Sequence, residues 1–489
     1  MELKWDKLLC SETLAEKETP PSSWVDYPMD PFEQDYREII SSTSFRYLQN
    51  KAQVYKFCKD EFVRTRLTHS IEVSTVAKQL GIMLVYNKKW NYIKAFQDVS
   101  AEYARTIPTV LACAALLHDM GNPPFGHEGE YSISHWFTER LARSDFALMG
   151  RPIREMLNPQ MLADLTHFEG NAQIIRMLSK CRFISDEPEA NVTYATISTL
   201  IKYPVSALEA DKSSPDMRVH KFGYYFSENN FVKSIRQKTG LILPEEPYAR
   251  NPLTYLLEAA DDIAYITSDI EDVIYCKTIN LQFFIDFMQE EIEKLPENGD
   301  EMHQLQVMTV QGIINNLKSR LAKCPLADDN ARIAAFHSWT GYVRNWLMYV
   351  AAGSFVANSE AIMNGTYQGD LLNDSYHRYT VELMKRMMRS YVYPRLCETR
   401  GAAETVIYDI LNRYVTAAIH WDTPEKQDET DIGYIYLLPQ KFKTAYMGEK
   451  TGDMATDLYL RMRMVLDYIS NLSDRSALDI YKRHNALNY

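Results

Sequence analysis

No apolar run in the 489-residue chain approaches the ~20 residues of a membrane-spanning helix. The opening MELKWDKLLCSETLAEKE is charged throughout and lacks the apolar stretch of a signal peptide. Cysteine is scarce: seven residues, at 10, 58, 113, 181, 276, 324 and 397, with no CxxC pair. That spacing argues against a zinc ribbon and against a disulfide framework. These absences together predict a cytoplasmic protein in a reducing compartment. Positive charge is in the minority, 53 Lys and Arg against 65 Asp and Glu, for a formal charge of −12. An acidic total speaks against a protein that coats a polyanion, although net charge governs solubility and steering rather than any one site. No internal repeat and no long low-complexity tract interrupts the chain.

What is present is ordinary for a soluble globular protein, with 46% apolar and 24% charged residues. The length exceeds the size at which one hydrophobic core usually stops growing, so one large helical body or two lobes is expected. Apolar residues recur with helical period over 33–50, 68–86, 101–120, 127–144, 159–165 and 169–182. The Pro- and Ser-rich opening reads as an extended arm over 1–32. The aromatic stretch VHKFGYYFSENNFVKSI, within 218–250, predicts a short hairpin or an irregular insertion. Asn251-Pro252 then starts a strong helix, Asn as cap and Pro in the first turn. Residues 281–489 are again mainly helical, with a break around 421–446. The expectation is an all-α fold with at most a small β element. Its parts are an arm (1–32), a core (33–280, with an insertion at about 212–250) and a C-terminal helical region (281–489).

One corner of this pattern carries chemistry. His118-Asp119 ends the apolar run VLACAALLHDMGN and opens a loop reaching PPFGHEGE. Upstream, His69 shares a helical face with Val73, Val76 and Leu80, so it points inward. A lone inward histidine is more often a core residue than a ligand. Two of them beside an aspartate are harder to dismiss, because a buried carboxylate needs a partner or a cation. In LLEAADDIAYITSDIED, Asp261, Tyr265 and Asp269 fall on one stripe at i, i+4 and i+8. Asp261 lies among small residues that permit close approach and completes the set; Asp262, Glu271 and Asp272 read as solubilising acids. Two His and two Asp suit one six-coordinate Mg²⁺, Mn²⁺ or Fe²⁺ better than a closed zinc site. From Ser44 to Ser70 six Lys and Arg stand against two acids, a local positive region suited to phosphate.

The spacing of His69, His118-Asp119 and Asp261 resembles the HD-domain phosphohydrolases. SSTSFRYLQNKAQVY, RTRLTHSIEV, LLHDMGNPPFGHEGE, HFEGNAQIIRML, EAADDIAYITSDIED and VLDYISNLSDRSALDIY together look like the deoxyguanosine triphosphate triphosphohydrolase (dGTPase) family. A departure is Tyr47, where many relatives carry a second Arg after the equivalent of Arg46. The resemblance implies an HD-domain helical fold, usually in a homo-oligomer (hexamer or tetramer). It implies hydrolysis of a deoxynucleoside triphosphate, dGTP first among them, to deoxynucleoside and inorganic triphosphate. It also gives individual roles. His127 and Glu130 match the catalytic pair, and Arg66 a phosphate contact. Gln53 and Val54 match the segment along sugar and base, and His167 a second phosphate-contacting histidine. Tyr265 would pack against the deoxyribose and Asp269 would accept from its 3′-OH. Two other readings stand beside this one: another HD activity (a 5′-deoxynucleotidase or phosphodiesterase), and a regulatory protein that binds dNTP or nucleic acid. A second nucleotide or single-stranded DNA is a candidate effector.

Overall fold

The computed structural model describes residues 2–15, 30–56, 62–86, 101–180, 189–294, 301–396 and 398–486. Helices fill most of them, and the small β element is a two-stranded antiparallel turn pairing Ala147–Leu148 with Arg151–Pro152. Three helices form the centre: Arg66–Tyr86, Ala101–Leu117 and Pro252–Tyr275. They are referred to below as the His69, His118 and Asp261 helices. The first two lie unusually close, because Gly81 faces Pro108. A Cβ at Gly81 would stand 2.9 Å from Leu111 Cδ1 and 3.0 Å from Pro108 Cα. Ser74 Oγ donates to the Ala112 carbonyl at 3.0 Å across the same contact. The Asp261 helix begins as its sequence predicts, with Asn251 Oδ1 accepting from Leu253 N–H at 3.0 Å.

Apolar side chains gather in two main cores. The larger joins the three central helices to residues 281–392 through Phe284, Val310, Trp339 and Leu383, among others. The second packs His127–Leu141 and Pro159–Thr166 against the helices Glu398–His420 and Met454–Ser470. The loop after His118 bridges them: Met120 is buried in the first core and Phe125 in the second. The site therefore sits on a seam. Buried ion pairs hold that seam, with Arg176 Nε 2.8 Å from Asp467 Oδ1 and Arg176 Nη1 3.1 Å from Glu228 Oε1.

Several local expectations are corrected. Residues 229–238 form a helix rather than a hairpin strand, because Val232 and Ile235, three apart, both bury while the polar residues face out. The expected break near 421–446 contains two helices, Glu429–Leu437 and Gln440–Glu449, the first capped by Asp428. The opening residues are no free arm: Leu3, Trp5, Leu8 and Leu9 are buried in the larger core, and Leu3 N–H donates to the Met363 carbonyl at 2.7 Å. The Pro- and Ser-rich part of that arm, 16–29, lies outside the described residues, as do 57–61 of the basic segment.

Candidate active site

The central helices bring His69, His118, Asp119 and Asp261 to one wall of a cavity of about 590 Å³. The two imidazoles lie 5.4 Å apart between ring centroids. One donor atom from each of His69, His118 and Asp119 lies within 4.8 Å of the others. His118 Nδ1–H donates to the Ala115 carbonyl at 2.7 Å, which fixes the tautomer and leaves Nε2 facing the cavity. That Nε2 stands 3.4 Å from Asp261 Oδ1, and His69 Nε2 stands 3.1 Å from the same oxygen. A carboxylate meeting imidazole lone pairs at this range needs a cation or a proton between them. Burial alone would lower the His118 pKa, yet Asp119 and Asp261 overcome it and raise it to about 9. Burial would likewise raise Asp119, but Arg66 and His118 hold it below the usual carboxylate range. Arg66 Nη1 is 2.7 Å from Asp119 Oδ2, and Asn122 Nδ2 donates to Asp119 Oδ1. This mixed nitrogen and oxygen set, oriented by its outer partners, fits a divalent ion.

His127 opens the helix His127–Leu141 on the other side of the loop. Its imidazole is 83% exposed to the cavity while Glu130 beneath it is buried. His127 Nδ1 lies 2.6 Å from Glu130 Oε2, and Glu130 Oε1 accepts from Gly170 N–H at 2.8 Å. The Glu130 hydrogen bond raises the His127 pKa above its usual value. Burial would raise Glu130, but His127 and Lys221 pull it below the carboxylate range. Phe125 and Gly126 enter this helix at φ of 66° and 59°, the left-handed region. A side chain at Gly126 would also meet Arg66, its Cβ lying 2.5 Å from Nη2.

The region matching the HD domain family is residues 66–176. The whole chain is 35% identical to a deoxyguanosinetriphosphate triphosphohydrolase-like protein of Listeria monocytogenes, over 99% of this chain and 100% of that protein. The chain belongs to the deoxyguanosinetriphosphate triphosphohydrolase-like family. It is also 29% identical to a protein of the same name from Pseudomonas aeruginosa, over 98% of both chains. A deoxyguanosinetriphosphate triphosphohydrolase of Yersinia pseudotuberculosis is 27% identical, over 92% of this chain and 93% of that one. Membership makes this protein an HD-domain phosphohydrolase, and the cluster of His69, His118 and Asp119 fits the divalent metal that such a domain implies.

In this family member, Gln53, Val54, Arg66, Tyr265 and Asp269 line the same cavity as the metal-type cluster. Gln53 Oε1 and Asp269 Oδ1 are buried without a protein hydrogen-bond partner. Burial pushes the Asp269 pKa up to about 8. Tyr265 accepts from Tyr393 O–H at 2.9 Å. His167 is the residue that the fold does not deliver. It is exposed, its Nδ1 turns back to the Ala163 carbonyl at 3.1 Å, and the cavity wall is formed instead by Glu169 and Asn171 beyond it. Tyr47 is also away from the cavity, its ring 6.0 Å below Lys441 Nζ, so its departure from the family pattern is a surface packing contact. Glu271 and Asp272 are not solubilising acids: both are buried and ion-paired with Arg64, which also binds Glu72 on the His69 helix. The cations Lys56, Lys202, Lys221 and Arg389 line the cavity as well. Of these only Lys56 fell in the basic segment, and it is engaged by Glu128 at 2.5 Å. Lys202 and Lys221 come from loops and Arg389 from the short helical segment Met388–Val392, all far away in sequence with no local signal, so only the fold reveals them.

Proposed function

We propose that this protein hydrolyses a deoxynucleoside triphosphate at the α-phosphorus, with dGTP as its preferred substrate. Water oxygen joins the α-phosphorus, the bond to the 5′-oxygen breaks, and deoxynucleoside and inorganic triphosphate leave. The observation that carries this reading is one cavity holding the metal-type cluster, the His127–Glu130 pair and several cations together. His69, His118, Asp119 and Asp261 would hold one divalent cation, Mg²⁺, Mn²⁺ or Fe²⁺, which would supply Lewis-acid polarisation of a phosphoryl oxygen. Arg66, Lys202 and Lys221 oppose the charge of the polyphosphate. Glu130 holds His127 in orientation, and His127 moves a proton at the attacking water or the leaving 5′-oxygen. Gln53 Oε1 and Asp269 Oδ1, two buried acceptors, suit the 3′-hydroxyl of the sugar. Tyr265, one turn before Asp269 on the same helix and lining the same cavity, would be the side chain that excludes a ribose 2′-hydroxyl.

The same reading includes a cytoplasmic homo-oligomer, a hexamer or tetramer, regulated by a second nucleotide or by single-stranded DNA. No helix among the described residues is long and apolar enough to cross a membrane. Exposed Ile432, Tyr436 and Leu437 offer apolar surface for subunit contact. Product analysis with each dNTP and Mn²⁺ or Mg²⁺, using His127→Ala as control, tests the chemistry. Triphosphate and deoxynucleoside, absent with the variant, support it. Orthophosphate or a nucleoside monophosphate would assign another HD activity, and tight dNTP binding without turnover would assign a sensor.

A further inference from the structure

The C-terminal stretch NLSDRSALD has no part in the chemistry above, yet its Asp474 touches both loops that carry it. Asp474 is the first residue of the helix Asp474–His484, N-capped by Ser473, whose Oγ accepts from Ser476 N–H at 3.0 Å. Asp474 is buried, 7% exposed, and its carboxylate is not needed for that cap. Its Oδ1 accepts from Phe125 N–H at 2.9 Å, two residues before His127. Its Oδ2 accepts from Ala52 N–H at 3.0 Å, one residue before Gln53. Lys51 reinforces the junction from the same side: its buried Nζ donates to the Asn122 carbonyl at 2.7 Å and the Ser470 carbonyl at 2.6 Å. Lys51 and Arg66 supply the positive charge that faces the carboxylate.

We propose that Asp474 is the positioning residue that sets the catalytic loop, gripping the Phe125 and Ala52 amides at once and so fixing where His127 stands. Phe125 is the reason a grip is needed. A bulky residue at positive φ persists only where its surroundings over-determine it. Its ring is buried in the second core, and its amide is held by Asp474. Release of that amide lets the Phe125–Gly126 corner relax, which swings the start of the His127 helix while leaving His69 and Asp261 on their own helices. A planar carboxylate supplies one acceptor to each of two converging N–H groups. A carboxamide keeps one acceptor and turns an NH₂ against the other amide.

The proposal rests on the triphosphohydrolase reading for its kinetic arm alone. Asp474→Asn is compared with wild type in the full-length protein, with Asp474→Glu as a second variant that keeps both acceptors. Expected for Asp474→Asn is a kcat loss approaching 10²-fold, the scale of an ångström-sized misplacement, with KM for dGTP changed far less. Asp474→Glu should keep more kcat than Asp474→Asn. Hydrogen exchange by mass spectrometry supplies an arm that needs no turnover: peptides spanning 52 and 125 should exchange faster in Asp474→Asn while those from the His69 and Asp261 helices do not. Wild-type exchange at both peptides would overturn the clasp whatever the enzyme hydrolyses. So would exchange raised uniformly along the chain, the mark of general destabilisation. A kcat loss equal to the lost folded fraction would overturn it too. Local loosening in a protein that releases no triphosphate would instead reject only the function proposed above.

Discussion

Replacing Glu130 with Gln changes almost no volume but reverses one hydrogen bond. In the native site Glu130 Oε1 accepts from Gly170 N–H and Oε2 accepts from His127 Nδ1–H at 2.6 Å. The Gln carbonyl keeps the Gly170 bond, which turns its NH₂ towards His127 Nδ1. The imidazole then accepts at Nδ1 and carries its proton on Nε2, the tautomer unable to take a proton from water there. Positioned proton transfer is worth about 10²–10⁴-fold, so kcat should fall by that factor, about 2.7–5.4 kcal/mol in the barrier. KM should change little, because neither residue is asked to bind substrate. The pH profile adds a signed test. Glu130 raises the His127 pKa, so a rate that needs neutral His127 climbs through a limb above pH 6.5 in the wild type. A rate that needs protonated His127 falls through that limb, and the direction identifies its role. In either case Glu130→Gln moves the limb down towards 6.5. Stability follows the same pair. The raised His127 contributes stability below 6.5 that is lost as pH rises through its folded value. The depressed Glu130 contributes stability above 4.5 that is lost as pH falls through its own. The pair thus favours the fold most between those two values, and the variant should lack that maximum. The assay is triphosphate release against pH for both proteins. A variant kcat within threefold of wild type across the range would sink the assignment of this pair as the proton-transfer unit.

Asp119→Asn tests the metal cluster: loss of a ligand should weaken Mn²⁺ by more than the roughly 10–100-fold typical of an outer-shell change. In wild type, Mn²⁺ at 100 times its Kd adds about 2.7 kcal/mol, about 2–3 °C in Tm for a chain of this length, and scanning calorimetry should find that shift absent in the variant. Tyr265→Ala should raise kcat/KM for GTP relative to dGTP about tenfold or more, by opening space for a 2′-hydroxyl against an interaction worth ~1–3 kcal/mol. Competition kinetics with the two nucleotides reads that ratio directly, and an unchanged ratio would remove Tyr265 from sugar selection.

The metal cluster was legible because helical period alone aims His69 and His118 inward, and Asp261, Tyr265 and Asp269 share a stripe at spacing four. The helix at Pro252 and the general all-α character followed from caps and periodicity in the same way. His167, expected as a phosphate contact, is exposed at the C-terminal cap of Pro159–Thr166 with its Nδ1 on the Ala163 carbonyl, a placement set by backbone dihedrals that the sequence does not spell out. Glu271 and Asp272 looked like solvent acids because their partner, Arg64, lies some two hundred residues earlier in the chain. The aromatic stretch 219–235 suited a hairpin or an irregular insertion; its first part is irregular, but burial of Val232 and Ile235 against the body of the protein decided for helix over Asn229–Lys238.

The sequence by itself determined which residues could bind a metal and transfer a proton, since those choices rest on side-chain chemistry and spacing within single helices. Only the tertiary structure decided which charges meet them. Lys202 and Lys221 reach the cavity from separate loops, Arg389 from the helical segment Met388–Val392, and Asp474 reaches the catalytic corner from the far end of the chain. Contacts of that sequence separation are fixed by how two cores pack across a seam, and no local periodicity encodes them.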